Sequence, residues 1–422
     1  MSLLIRNGRV IDPANGTDDI SDVFISKGII ASIGHNITKP ADMAIDAAGC
    51  WVTPGFIDLH AHLREPGYVY KETLNSGGRA AVKGGFTTVC CMPNTNPAID
   101  NVDTVKSIAA ASGRYAKILP IACITPGQRG DCLTDMAKLK EAGVCGFSED
   151  GKSVMNARLM KQAFEKAASL NLPVFDHCED INLANSGVIN EGGASARFSL
   201  PGITPLAEDI ITARDLLLAE RAGARIHLCH VSTARSAEML KNAKSRGMKA
   251  TGEVCPHYFS LCDEDIISDN GMYKMNPPLR SRNDMEAMRR ALAEDVIDVI
   301  ATDHAPHSEA DKSGGFLKAA FGISGLETAL GLCVTYLTDA GVLTPFRLIE
   351  KLTINPARIL GINAGTLSEG APADIAVIDP EHRWTVNPQN FYSKGKNTPF
   401  GNMELKGMVK YTLVNGRVSY GY

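Results

Sequence analysis

The sequence predicts an α/β protein: a (β/α)8 TIM barrel with a small β-sandwich-like domain built from both termini. Three observations predict it. Between residues 55 and 360, eight short apolar segments alternate with amphipathic ones, the pattern of successive βα units. The two chain ends read as strands and turns. Finally, six of the eight apolar segments run into residues that carry chemistry, and barrels of this kind keep such groups at the carboxyl ends of their strands.

The elements follow in order. Residues 3–11 contain Asn7-Gly8 and predict a hairpin with a two-residue turn. Residues 22–34 predict a second hairpin, turning at Lys27-Gly28. Near the other end, 373–379 reads as a strand and 411–419 repeats the Asn-Gly hairpin at Asn415-Gly416. The ends are therefore expected to pair into one β-domain, 1–54 plus 361–422, around a catalytic barrel at 55–360. The barrel strands are predicted at 55–60, 87–92, 117–124, 144–148, 173–177, 225–231, 249–256 and 296–303. Amphipathic helices are predicted at 133–141, 156–170, 209–222, 234–246 and 284–294. The alternative is a doubly wound open sheet. No Gly-x-Gly-x-x-Gly follows the first strand, and chemistry sits on nearly every strand end, which favours the barrel.

Composition narrows the function classes. The 422 residues can bury a large core, and 44% hydrophobic with 21% charged residues is ordinary for a globular chain. A net charge of -4 gives no basic field for nucleic acid. No apolar run is long enough for a membrane span, and the start, Ser2-Leu-Leu-Ile-Arg6, reads as a strand rather than a signal peptide. The 11 cysteines are odd in number, form no Cys-x-x-Cys pair and include Cys90, Cys91 and Cys229 inside apolar runs. They are expected to be buried reduced thiols, which suits the cytoplasm.

The chemistry centres on Pro54-Gly-Phe-Ile-Asp-Leu-His-Ala-His-Leu-Arg64. Residues two apart on a strand share a face, so His60 and His62 project together as half of a metal site. Other strand ends supply Asp150, His177, His230 and Asp303. Four imidazoles and two carboxylates suit zinc, with a carboxylate bridging if two ions bind. Each residue singly has an ordinary explanation: His177 or His230 as a satisfied core histidine, Asp150 as a turn residue, Asp303 as a helix cap. Six such coincidences at one end of one barrel favour the metal. His227 has the opposite parity to His230 and is expected to face outward. His35 and His382 fall in the terminal domain. Asp58 shares the parity of His60 and is expected to face inward or orient a ligand. His257 is left without a role.

Taken with Met92-Pro-Asn-Thr95, Asp176-His-Cys-Glu179, Asn276-Pro-Pro-Leu-Arg280 and Thr302-Asp-His-Ala-Pro-His307, this pattern resembles the cyclic amidohydrolases and, within them, the class I dihydroorotase family. The resemblance spans nearly the whole chain, including the split β-domain. It implies one or two zinc ions, and Asp150 as the bridge where hydantoinases and allantoinases carry a carboxylated lysine. The family often has Asp-Asp where this chain has Glu149-Asp150, and a second histidine where it has Tyr258.

The implied reaction is the reversible cyclisation of carbamoyl aspartate to dihydroorotate in pyrimidine biosynthesis. Asp303 serves as proton shuttle. Arg64 holds the substrate carboxylate, with Asn94, Asn276 and His307 as further contacts, together with His62 and the backbone at Phe321-Gly322. The stretch 307–322, rich in Gly, Lys and Ser, suits a mobile loop. Rivals are an allantoinase or hydantoinase acting on a ring without the carboxylate, and a non-catalytic partner of aspartate transcarbamoylase. The partner expected is a small molecule, with no nucleic acid and no membrane. A homodimer is expected from the prevalence of such symmetry, and association with that transcarbamoylase stays open.

Overall fold

A computed structural model describes residues 2–113 and 115–422; Met1 lies outside the described residues. Eight parallel strands, Phe56–Ala61, Phe86–Cys91, Lys117–Cys123, Gly146–Ser148, Val174–Asp176, Ile226–Leu228, Ala250–Val254 and Val299–Ile300, form one sheet in strict chain order. These are the eight predicted strands, the first two shifted by one residue and the other six trimmed. Gly55, at the entry to the first strand, is required by packing: a Cβ there would lie 2.2 Å from the Thr87 side chain.

The first and eighth strands are not joined by a regular ladder. They meet at a single bridge, Ala61 to His304, where the His62 N–H donates to the His304 carbonyl at 2.8 Å. Asp58 completes the closure. Its fully buried carboxylate accepts from the Thr302 N–H (3.0 Å), the Thr302 hydroxyl (2.6 Å) and the His60 N–H (3.2 Å). The barrel is thereby nearly closed at the seam that brings His60 and His62 opposite Asp303.

Ile57, Leu59, Cys90, Ile121, Phe175, Cys229, Val299 and Ala301 come from six different strands yet form one apolar cluster. Only the inside of a barrel brings those positions together. Ile359 and Leu360, from the helix Ile354–Leu360, join the same cluster. The predicted helices form at Met136–Ala142, Ala157–Ser169, Leu206–Ala222, Ala234–Ser245 and Arg282–Ala293. Several begin at side-chain caps that satisfy free N–H groups: Asn156, Thr233 and Ser281 each accept from the first turn.

The termini share a second eight-stranded sheet. Strand Trp51–Pro54 pairs with Ile375–Thr385 on one side and Ser2–Asp12 on the other, with the remaining strands outward from these. The turns at Lys27-Gly28 and Asn415-Gly416 form as predicted, with all four residues at positive φ.

The predicted hairpin at Asn7-Gly8 does not form. Ser2–Asp12 is one continuous strand, and Asn7, at φ 61°, makes a bulge where the register against Thr17–Ser26 shifts. The Asn7 N–H donates to Asp22 at 3.0 Å and its amide to Asp46 at 3.0 Å. These distant carboxylates hold a left-handed residue that would otherwise start a turn.

Asp58→Ala should lower unfolding stability by about 1–3 kcal/mol, because it leaves the Thr302 N–H buried without an acceptor. Urea denaturation checks this; unchanged stability would mean the seam closes without Asp58.

Candidate active site

The six predicted donors meet at the carboxyl end of the barrel, and all are buried. Asp150 stands at their centre. Its Oδ1 lies 3.3 Å from His60 Nε2, 3.4 Å from His177 Nδ1 and 3.6 Å from His230 Nε2, while Oδ2 lies 3.4 Å from His62 Nε2. Asp303 Oδ1 lies 3.0 Å from His62 Nε2 and 3.5 Å from His60 Nε2. His177 Nδ1 and His230 Nε2 are 2.9 Å apart. The groups His60, His62, Asp303 and His60, Asp150, His230 each offer ligand atoms within 4.8 Å of one another.

These residues fit a divalent metal. His60 Nε2 and Asp150 Oδ1 are buried at the meeting point and lack a hydrogen-bond partner. A set of imidazole nitrogens around shared carboxylates is a donor set that zinc takes.

Electrostatics tell the same story. Burial works against the charge on His60, but Asp150 and Glu253 outweigh it and raise the imidazole pKa well above its usual range. Burial likewise opposes His177, which Asp150 and Glu179 lift to about 10. Asp150 and Asp303 are held far below the carboxylate range by the histidines around them, despite burial.

Local backbone delivers these groups. His230 and Asp303 follow their strands at φ 35° and 45°, and Arg64 follows the first strand at φ 62°. A non-glycine residue at positive φ is uncommon, and such positions concentrate at functional sites. At His230 the turn cancels the strand parity. His227 therefore faces inward, not outward as predicted. Its Nε2 lies 3.0 Å from Glu253 and its Nδ1 2.8 Å from Thr251, with the Phe175 ring beside it.

Sequence reasoning missed Glu253. Fully buried on the seventh strand, it accepts from His60 Nδ1 at 2.7 Å, His227 Nε2 at 3.0 Å and the His230 N–H at 3.3 Å. It thereby leaves His60 Nε2 free to face the other donors. Its only signal in the sequence was a carboxylate inside an otherwise apolar strand. Asp58, left without chemistry, is the seam described above. His257 is buried against Tyr258, its pKa lowered by burial to about 4.

Five of the six donors line one cavity, of about 190 Å³, which is also lined by Arg64, Asn94, Asn276, His307, Phe321 and Gly322. Arg64 is buried; its Nε donates to the Pro306 carbonyl at 3.3 Å, and Nη2 sits 3.2 Å from His307 Nε2. The salt bridge to Glu65 that would make it merely structural is absent: Glu65 accepts from the Leu74 N–H instead. Asn94 Oδ1 meets His62 Nδ1 at 2.8 Å. Asn276 donates to Glu179 at 3.0 Å and keeps a buried Oδ1 without a partner. His307 Nε2 lies 2.8 Å from the Phe321 carbonyl, and Lys71 Nζ lies 3.2 Å from its Nδ1. Burial, with Arg64, Lys71 and Lys312, pushes His307 down to about 2, so the ring is neutral and its Nε2–H donates. The Gly322 N–H is already bonded to the Lys274 carbonyl at 3.0 Å, which leaves less of that backbone for a ligand than predicted.

Comparison with known proteins follows this geometry. The family described as Dihydro-orotase-like matches residues 49–236, and that described as Amidohydrolase family matches residues 213–420. The chain is 49% identical to a dihydroorotase of Pelotomaculum thermopropionicum, covering 99% of this chain and 98% of that protein. It is 48% identical to a dihydroorotase of Pelobacter propionicus, covering 100% of both. Among solved structures, an L-hydantoinase (dihydropyrimidinase) from Arthrobacter aurescens superposes with a TM-score of 0.90 at 25% identity, covering 99% of this chain and 95% of that one. A dihydropyrimidinase from Brevibacillus agri, at 22% identity, TM-score 0.87 and the same coverage, shares the fold.

Two outcomes test the geometry. Glu253→Gln should weaken zinc affinity by about 10- to 100-fold, the usual cost of losing a group that orients a ligand; titration against a chelating dye measures it. The second concerns acid. An unfolded histidine takes its proton near 6.5, whereas folded His307 resists until about 2. Its contribution to stability is thus present above pH 6.5 and lost as pH falls toward 2. Thermal unfolding of His307→Gln should therefore decline less between pH 6.5 and 4 than that of the parent.

Proposed function

The chain belongs to the dihydroorotase family of the amidohydrolases, hydrolases of cyclic amides, and from that premise we propose that it interconverts N-carbamoyl-L-aspartate and (S)-dihydroorotate in the synthesis of pyrimidines. One observation carries this reading. A single small cavity is lined by a metal-binding donor set and by a buried arginine beside a neutral histidine. The first suits amide hydrolysis, and the second suits a substrate carboxylate.

In this reading His60, His62, Asp150, His177, His230 and Asp303 are the residues that would hold one or two zinc ions. Bound zinc lowers the pKa of water and polarises the amide carbonyl. Asp303 takes the proton of the attacking water and returns it to the amide nitrogen as the ring opens. In the reverse direction it removes a proton from the ureido nitrogen, which closes on the side-chain carboxylate as water leaves. Arg64 holds the substrate carboxylate through its guanidinium fork, and His307 stands beside that guanidinium with its Nε2–H held by the Phe321 carbonyl. The unpartnered Oδ1 of Asn276 can accept a ring N–H. Asn94 fixes His62.

The hydantoinase alternative is less well supported. Asp150 lines the cavity, no lysine does so among the described residues, and identity to the hydantoinase is half that to the dihydroorotases. A non-catalytic partner of aspartate transcarbamoylase would have no need of a complete donor set. No described helix is long and apolar enough to cross a membrane, and all eleven cysteines are free thiols, which supports a reducing cytoplasm. The reading includes a homodimer, open to association with that transcarbamoylase, and a division of the chain at 54 and 361.

Purified zinc-loaded protein should hydrolyse dihydroorotate and leave hydantoin and allantoin intact, as followed by loss of ring-amide absorbance. Turnover of the uncharged rings instead would overturn the assignment. Chelation should abolish turnover and zinc restore it. Asp303→Ala should lower kcat by about 100- to 10,000-fold. Arg64→Met should raise KM by about 10- to 100-fold, the worth of a charged hydrogen bond, with a smaller change in kcat.

A further inference from the structure

The segment 307–322 was expected to be mobile, yet it is tied down at one point. Lys312, in the short helix Glu309–Lys312, is only 3% exposed. Its ammonium lies 2.9 Å from the Lys274 carbonyl, 2.7 Å from the Ala320 carbonyl and 2.9 Å from the Gly322 carbonyl. An ammonium has three hydrogens and no acceptor, so its capacity is met in full by three backbone oxygens. Among the described residues no carboxylate pairs with it. Burying a cation without a counter-charge is costly, and a neutral side chain of similar length would fill the space at less cost. Burial lowers its pKa to about 7, and it is the three backbone acceptors, not a counter-charge, that hold it in place.

The three carbonyls indicate its role. Lys274 stands two residues before Asn276, and Ala320 and Gly322 flank Phe321. Asn276 and Phe321-Gly322 thus line the cavity wall from two segments distant in sequence. The same knot includes the Gly322 N–H donating to the Lys274 carbonyl, the Asn397 amide donating to the Gly322 carbonyl at 3.0 Å, and the Phe321 carbonyl accepting from His307. Gly322 sits at φ 126°, where a Cβ would lie 2.6 Å from that of Ala305. That strained, close-packed conformation is held from both sides.

We infer that Lys312 is a positioning residue: its three-point bond to backbone joins the Asn276 segment to the Phe321-Gly322 segment and sets the shape of the pocket that receives the substrate. This rests on the reading of that cavity as the dihydroorotate site. Lys312 touches neither the donor set nor the cavity itself, so it acts on binding through the walls.

Two variants and two readouts test it. Lys312→Met keeps the stem and removes all three donors. Lys312→Arg keeps the charge, but a planar fork cannot direct three N–H groups at oxygens clustered around one point. Each should raise KM for dihydroorotate, by about 10-fold for Met given three lost hydrogen bonds, with kcat changed less than about threefold. An unchanged KM in either folded variant overturns the proposal, as does a kcat loss matching the KM change. The second readout needs no substrate. Chymotrypsin cleavage of the zinc-loaded protein at Phe316 and Phe321 should be about 10-fold faster in Lys312→Met than in the parent, and equal rates overturn the clamp. If the parent fails to turn over dihydroorotate while the variant is cleaved faster, the substrate assignment falls and the clamp stands. Should Lys312→Met fail to fold, Lys312→Arg, which retains donors and charge, decides both readouts.

Discussion

A buried carboxylate with four imidazoles around it is the constraint on which this structure depends. Asp150 cannot be desolvated as an anion without compensating positive charge. The four histidines that surround it come from the ends of three other strands, and each must be held at a fixed distance. Much of the unusual local structure at this end of the barrel follows. Arg64, His230 and Asp303 take up positive φ where an unstrained strand would carry them past the site. Glu253 accepts from both His60 and the backbone of His230. Asp58 fastens the first strand to the eighth.

The second feature of the site is that both signs of charge meet in it. Asp150 and Asp303 line the cavity together with Arg64 and His307, and Lys71 and Lys312 add positive charge near His307 from outside the lining. The neutral state of His307 is produced first by burial and then by the three nearby cations.

Around the site, long-range bonds to backbone tie the segments together. Lys312, Asn397 and Lys274 turn a glycine- and lysine-rich stretch into an ordered wall. The sheet built from both chain ends packs outside the barrel and contributes no residue to the cavity lining.

Much was legible from the sequence. The eight strands, the chief helices and the six donors follow from alternating hydrophobicity and from chemistry recurring at strand ends, both of which are local signals. Arg64, Asn94, Asn276, His307, Phe321 and Gly322 were named from their motifs, and the fold brings them to one cavity. What the sequence could not carry was any feature whose cause is a distant partner. Asn7-Gly8 has the composition of a turn, and only Asp22, Asp46 and the neighbouring strands make it a bulge. Parity placed His227 outside because a strand was assumed to run through to His230, whereas the strand ends at Leu228 and the backbone turns. Glu253 and Lys312 look unremarkable in their own segments; the first acquires meaning from His60, 193 residues away, and the second from Gly322 and Lys274. Periodicity and residue type determine which groups are available and on which element. Which of them meet, and in what protonation state, is decided by closure of the barrel, since only tertiary contact fixes the distances on which hydrogen bonding and charge depend.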